Sequence, residues 1–122
     1  MGYESRLFVV EKSTTSIFEK EKRYGEVIAV VNMCQLGNGF AKRFLGGKYR
    51  PTDCYIYYNC ERLTEDRYGK PLIEIPLKDL IEYFEIAEEE DGHYRRHAPV
   101  LNLLKGFDRN EWGDLVVLHY GY

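Results

Sequence analysis

A chain of 122 residues with 17 Lys and Arg against 20 Asp and Glu carries a formal charge of −3. No global field therefore draws it to nucleic acid, and any polyanion binding needs a local patch. The length fits one domain, residues 1–122, which buries roughly two-thirds of its unfolded surface and needs no covalent staple.

Arg6 to Glu11 is rich in β-formers and predicts a first strand. The charged stretch from Lys12 to Arg23 reads as a long hairpin connection, and Tyr24-Gly25 as the turn before the next strand. That strand runs from Glu26 to Leu36, and because Val27 to Val31 is apolar on both parities it is expected at the centre of a sheet. The same run is far short of the ~20 residues that span a bilayer, so no membrane partner is expected.

Gly37 to Pro51 then packs four glycines, four cations and three aromatics between two strands. Asp53 to Glu61 predicts a third strand whose inner face holds Cys54, Ile56, Tyr58 and Cys60. After a polar turn region from Thr64 to Lys70, Pro71 to Pro76 is a short strand whose prolines suit a sheet edge.

Leu77, Leu80, Ile81 and Phe84 follow the helical period, with Pro76 at the first turn and Gly92 as the closing residue. A second helix is expected from Pro99 to Gly106, and Asp114 to Tyr120 ends the chain as an interior strand. The sum is an α+β fold: an antiparallel or mixed sheet of about five strands with two helices packed on one face.

The candidate chemistry centres on the glycine-rich segment. Its cations Lys42, Arg43, Lys48 and Arg50 can neutralise phosphate while Phe40, Phe44 and Tyr49 stack a base, although neither the dinucleotide fingerprint nor the P-loop is present. The bland alternative is a short amphipathic helical turn with Phe40, Phe44 and Leu45 inward and the cations solvated. Arg95 and Arg96 can clamp phosphate, or pair with the acidic run Glu88 to Asp91. His93 and His97 lie four residues apart, but no further ligand completes a metal site, and no metal or other cofactor is expected.

Cys34, Cys54 and Cys60 lack the spacing of a disulfide framework or zinc knuckle and read as free thiols of a reducing compartment. A Cys34 or Cys60 nucleophile with His119 as base is disfavoured, since both cysteines fall in strands that bury them. Eleven tyrosines exceed what a small core can bury with every hydroxyl satisfied, so several are expected to face solvent or a partner. That surplus predicts a homo-oligomer.

The opening Met1 to Leu7, the Tyr-, Glu- and Lys-rich composition and the ending Tyr120-Gly121-Tyr122 resemble the small accessory proteins of bacteriophages and prophages of Gram-positive bacteria. The resemblance implies a cytoplasmic, non-enzymatic anti-defence protein. The resemblance carries over no site residue; read from the residues themselves, the leading expectation is that the protein sequesters a phosphate-bearing nucleotide immune signal through Lys42, Arg43, Lys48, Arg50, Arg95 and Arg96 with Phe40 and Tyr49 stacking. The alternative is that it inhibits a host immune protein, in the manner of an anti-CRISPR, through its acidic helix and exposed tyrosines. A small metal-independent nuclease is the third reading.

Overall fold

The computed structural model describes residues 5–12, 24, 26–33, 37–49, 51, 55–90, 97–109 and 115–121. Among them the chain forms strands β1 (Ser5–Glu11) and β2 (Val27–Asn32), helix α1 (Gly37–Phe44), strands β3 (Ile56–Tyr58), β4 (Glu61–Leu63) and β5 (Ile73–Pro76), helices α2 (Leu77–Glu90) and α3 (His97–Arg109), and strand β6 (Leu115–Gly121). The fold is α+β. Four strands make an antiparallel sheet in the order β2-β1-β6-β5, and β3 and β4 pair separately as a hairpin.

Pleating sends alternate residues of the two central strands to opposite faces, and both faces are covered. On one, Leu7, Val9, Leu115 and Val117 meet the helices through Phe40, Phe44, Leu80, Phe84, Leu101 and Leu104. On the other, Phe8, Val10, Val116 and Leu118 meet Tyr24, Ile56 and Leu72 beneath the β3–β4 hairpin. The sheet is thus sandwiched, which explains why β1 and β6 are apolar on both parities.

β2 departs from expectation. It is an edge strand with only partial burial along Val27–Val31, whereas β1 and β6 take the centre. A register shift opposite Val9 and Val10 leaves Ile28 unopposed as a bulge, so Ile28 and Ala29 both join the helix-side core while Val27 and Val30 join the hairpin side. Its two apolar faces reflect these two cores.

The third predicted strand also ends early. Tyr58 is followed by Asn59 and Cys60 at φ 52 and 63, a two-residue turn in left-handed geometry, and the chain returns as β4, which the sequence reading had not separated. Cys60 is exposed in that turn and lies outside the inner face assigned to it. Cys34 and Cys54 lie outside the described residues.

Helix α2 buries the expected Leu77, Leu80, Ile81 and Phe84, with Asp79 in its first turn matching the helix dipole. Its closing residue, Gly92, lies outside the described residues. Helix α3 has Pro99 in its first turn as expected but continues through Gly106 to Arg109, because Phe107 beyond the glycine packs on the core.

Candidate functional site

The glycine-rich segment folds as helix α1 followed by a turn back toward α2. Phe40 and Phe44, one helical turn apart, are buried at 1% and 0% exposure, and their ring centroids lie 4.9 Å from each other. Phe40 also meets Tyr83 at 5.6 Å and the His119 ring at 5.4 Å, so the ring that was to stack a base is part of the core. Gly47 at φ +97 permits the reversal that carries Tyr49 back to α2.

Two polar ties fasten this segment to α2. The Arg43 guanidinium donates to Glu82 Oε1 at 3.2 Å and lies 5.3 Å from the Phe44 ring centroid. Tyr49 donates its hydroxyl to Asp79 Oδ2 at 2.6 Å, and its ring stands 5.2 Å from that of Phe44. Accepting that hydrogen bond, Asp79 raises the Tyr49 pKa above 10.0, burial adds to the rise, and Arg43 opposes it.

Of the predicted nucleotide-binding residues, the phosphate ligand Arg43 and the stacking ring Tyr49 are therefore brought together but spent on α2, while Lys42 and Lys48 stay exposed. Arg50, Arg95 and Arg96 lie outside the described residues, as does His93 and the side chain of His97. Among the described residues, no group of three or more His, Cys, Asp or Glu could hold a metal ion.

The hairpin presents a different surface. Tyr55, Tyr57 and Arg62 share its outer face, since Tyr57 and Arg62 are cross-strand partners and Ile56 points to the core. The Arg62 guanidinium lies 4.2 Å from the Tyr55 ring centroid, and Tyr55 meets Tyr57 edge to face at 5.4 Å. Tyr57 is 50% exposed, and Tyr68 in the following turn 54%. Asp66 holds that turn by accepting from the backbone N–H groups of Tyr68 at 2.8 Å and Lys70 at 3.0 Å.

The sequence reading missed a buried polar pair. Ser5 Oγ and His119 Nε2 are 2.8 Å apart, the two residues being 2% and 3% exposed. Burial lowers the His119 pKa from 6.5 to about 4, against the opposing charge of Asp66. Their separation of 114 in sequence leaves no local signal by which sequence alone could have joined them.

Two of the clefts on the described surface bear on the site, and neither is lined by Ser5 or His119. One, of about 370 Å³, runs between Glu26 to Val30 and the hairpin residues Tyr57, Tyr58 and Asn59. The other, of about 460 Å³, lies at the start of α2 and mixes Lys12 and Lys78 with Glu74, Asp79 and Asp108, a balance that favours no one sign of ligand. Among the described residues no helix is long and apolar enough to cross a membrane. No family model, curated protein or solved structure matches the chain.

Proposed function

We propose that this is a non-enzymatic binding protein that docks on a protein partner, acting as a phage-type inhibitor of a bacterial immune effector in the cytoplasm. The observation that carries the reading is the Tyr55–Tyr57–Arg62 array on the hairpin, with Tyr57 half exposed and Tyr68 close by in sequence. Tyr and Arg are the residue types that dominate binding hot spots, because they offer large rigid area at low entropic cost.

The chemistry of the α1 segment supports this choice over nucleotide sequestration. With Phe40 and Phe44 in the core and Arg43 tied to Glu82, the segment keeps two exposed lysines, and Tyr49, the partly buried ring beside Lys48, is held to Asp79 by its hydroxyl. Those lysines, Lys42 and Lys48, are what favours the nucleotide reading as second.

The test is affinity capture from a Gram-positive host lysate, reconstitution with the purified captured protein, and titration of wild type against Tyr57→Ala plus Tyr68→Ala. Loss of binding with an unchanged circular dichroism spectrum is the expected result. Full binding by the double variant, together with nucleotide binding that Lys42→Ala plus Lys48→Ala removes, overturns it.

A further inference from the structure

We propose that the cleft between the outer edge of β2 and the tip of the β3–β4 hairpin receives an extended peptide strand of a partner protein. The strand is apolar in its middle and carries a lysine or arginine at the Glu26 end. The proposal rests on the protein-docking reading above and names the mode of contact.

The two edges of the main sheet are built differently. β5 is four residues long, carries Glu74, ends in Pro76 and passes directly into α2, so it is short, charged and capped as exposed edges usually are. β2 has six residues, of which Val27–Val31 are uncharged, and pairs with β1 alone among the described residues. By the antiparallel ladder, alternate N–H and C=O groups of β2 point away from β1, and the cleft is lined by the first residues of this same strand, Val27 to Val30. An unpaired row of this kind is satisfied by another extended backbone, which is how strand addition binds peptides.

The opposite wall decides what fits. Tyr24 N donates to Tyr55 O at 3.0 Å, which brings the start of the hairpin strand beside the start of β2; from there the cleft opens between Glu26 to Val30 and Tyr57 to Asn59. Its volume of about 370 Å³ lies within the range of ligand-holding clefts, roughly 300–1,000 Å³. Lined by backbone edge, valines and two tyrosines, it suits a single strand with apolar side chains.

Charge fixes the end. Glu26 is the one charged residue among the described lining residues, so a cation on the incoming strand has a partner there. A second copy of the chain is the poorer occupant. Its own edge strand, Val27–Asn32, has no cation to offer, and its own hairpin tip flanks the same edge.

The experiment measures fluorescence anisotropy of the whole protein with labelled peptides: Lys-Val-Thr-Val-Thr-Val, the reverse sequence, the Lys-to-Glu analogue, and an analogue with Pro at the central Val. One of the two lysine peptides is expected to bind with a dissociation constant below roughly 1 mM. The glutamate analogue is expected to bind about tenfold more weakly, with Glu26→Lys reversing that preference. Proline, which cannot donate to the ladder, is expected to abolish binding, and β2 amide exchange to slow in the bound state.

Failure of every peptide to bind at about 1 mM overturns the proposal, as does equal affinity for the lysine and glutamate peptides. A concentration-dependent dimer that Val30→Lys dissolves assigns the edge to a second copy and overturns it too. Partner capture through Tyr57 and Tyr68 without peptide binding removes the strand mode and leaves the docking reading intact, so the two failures are distinguishable.

Discussion

At the scale of single residues, conformation and protonation at two positions carry measurable energies. Cys60 sits at φ 63, where a side chain costs about 1 kcal/mol and glycine costs little. Asparagine followed by glycine is also the favoured pair for a two-residue turn of this geometry, and Asn59 already fills the first place. Cys60→Gly is therefore expected to stabilise the protein by about 0.5–1 kcal/mol in urea denaturation, less the extra chain entropy that glycine loses on folding. A loss of stability shows that the Cys60 side chain contributes packing or a contact that offsets its strain.

His119 sets a pH window. Its folded pKa of about 4 lies below 6.5, so the unfolded chain takes up a proton first as pH falls. Stability is then complete above pH 6.5, declines between 6.5 and about 4, and levels off below, with a total of up to about 3 kcal/mol from this residue. Removing the imidazole with His119→Gln flattens that part of the profile, which thermal denaturation across pH reads directly. A profile unchanged by the substitution shows that other groups govern the window.

At the scale of elements, the helix stripe was the most legible feature. Leu77, Leu80, Ile81 and Phe84 repeat at 3.6 residues, and all four are buried in α2. Phe84→Ala should cost about 3–5 kcal/mol. A loss of less than about 1 kcal/mol in denaturant titration shows that α2 relaxes around the cavity. By contrast Arg43→Ala, which removes a partly exposed pair with Glu82, should cost about 1 kcal/mol or less. A larger effect assigns the tie a structural role in seating α1.

The glycine segment was ambiguous because the same residues satisfy two readings. Only the partner surface on α2, distant in sequence, decides that Phe40 and Phe44 turn inward and that Arg43 and Tyr49 are consumed there. The end of β3 was hidden for a related reason. Asn59 and Cys60 are both tolerated in a strand pattern, and the positive φ of a cysteine has no sequence mark.

At the scale of the whole molecule, strand order could not be read from apolar runs alone. Val27–Val31 and Val116–Leu118 look alike in sequence, yet β2 lies at the edge and β6 in the centre. An apolar run records that both faces are covered and says nothing of how many backbone neighbours the strand has. Central position belongs to β1 and β6, the first and last strands, which pair from Ser5 with Gly121 to Glu11 with Leu115. Strands more than a hundred residues apart in sequence thus pair at the centre of the sheet, and among the described residues β6 alone links β1 to β5.

This topology predicts a gradient of local stability. Amides of β1 and β6, paired on both sides and buried on both faces, should exchange only through global unfolding. The β2 amides bonded to β1 and those of the two-stranded β3–β4 hairpin should exchange through smaller openings, since an isolated hairpin is marginal and an edge has one neighbour. Native-state hydrogen exchange by mass spectrometry, repeated over a denaturant series, separates the two groups. If the β2 and hairpin amides converge with those of β6 on a single free energy before denaturant is added, the molecule opens as one cooperative unit and its two layers are energetically inseparable.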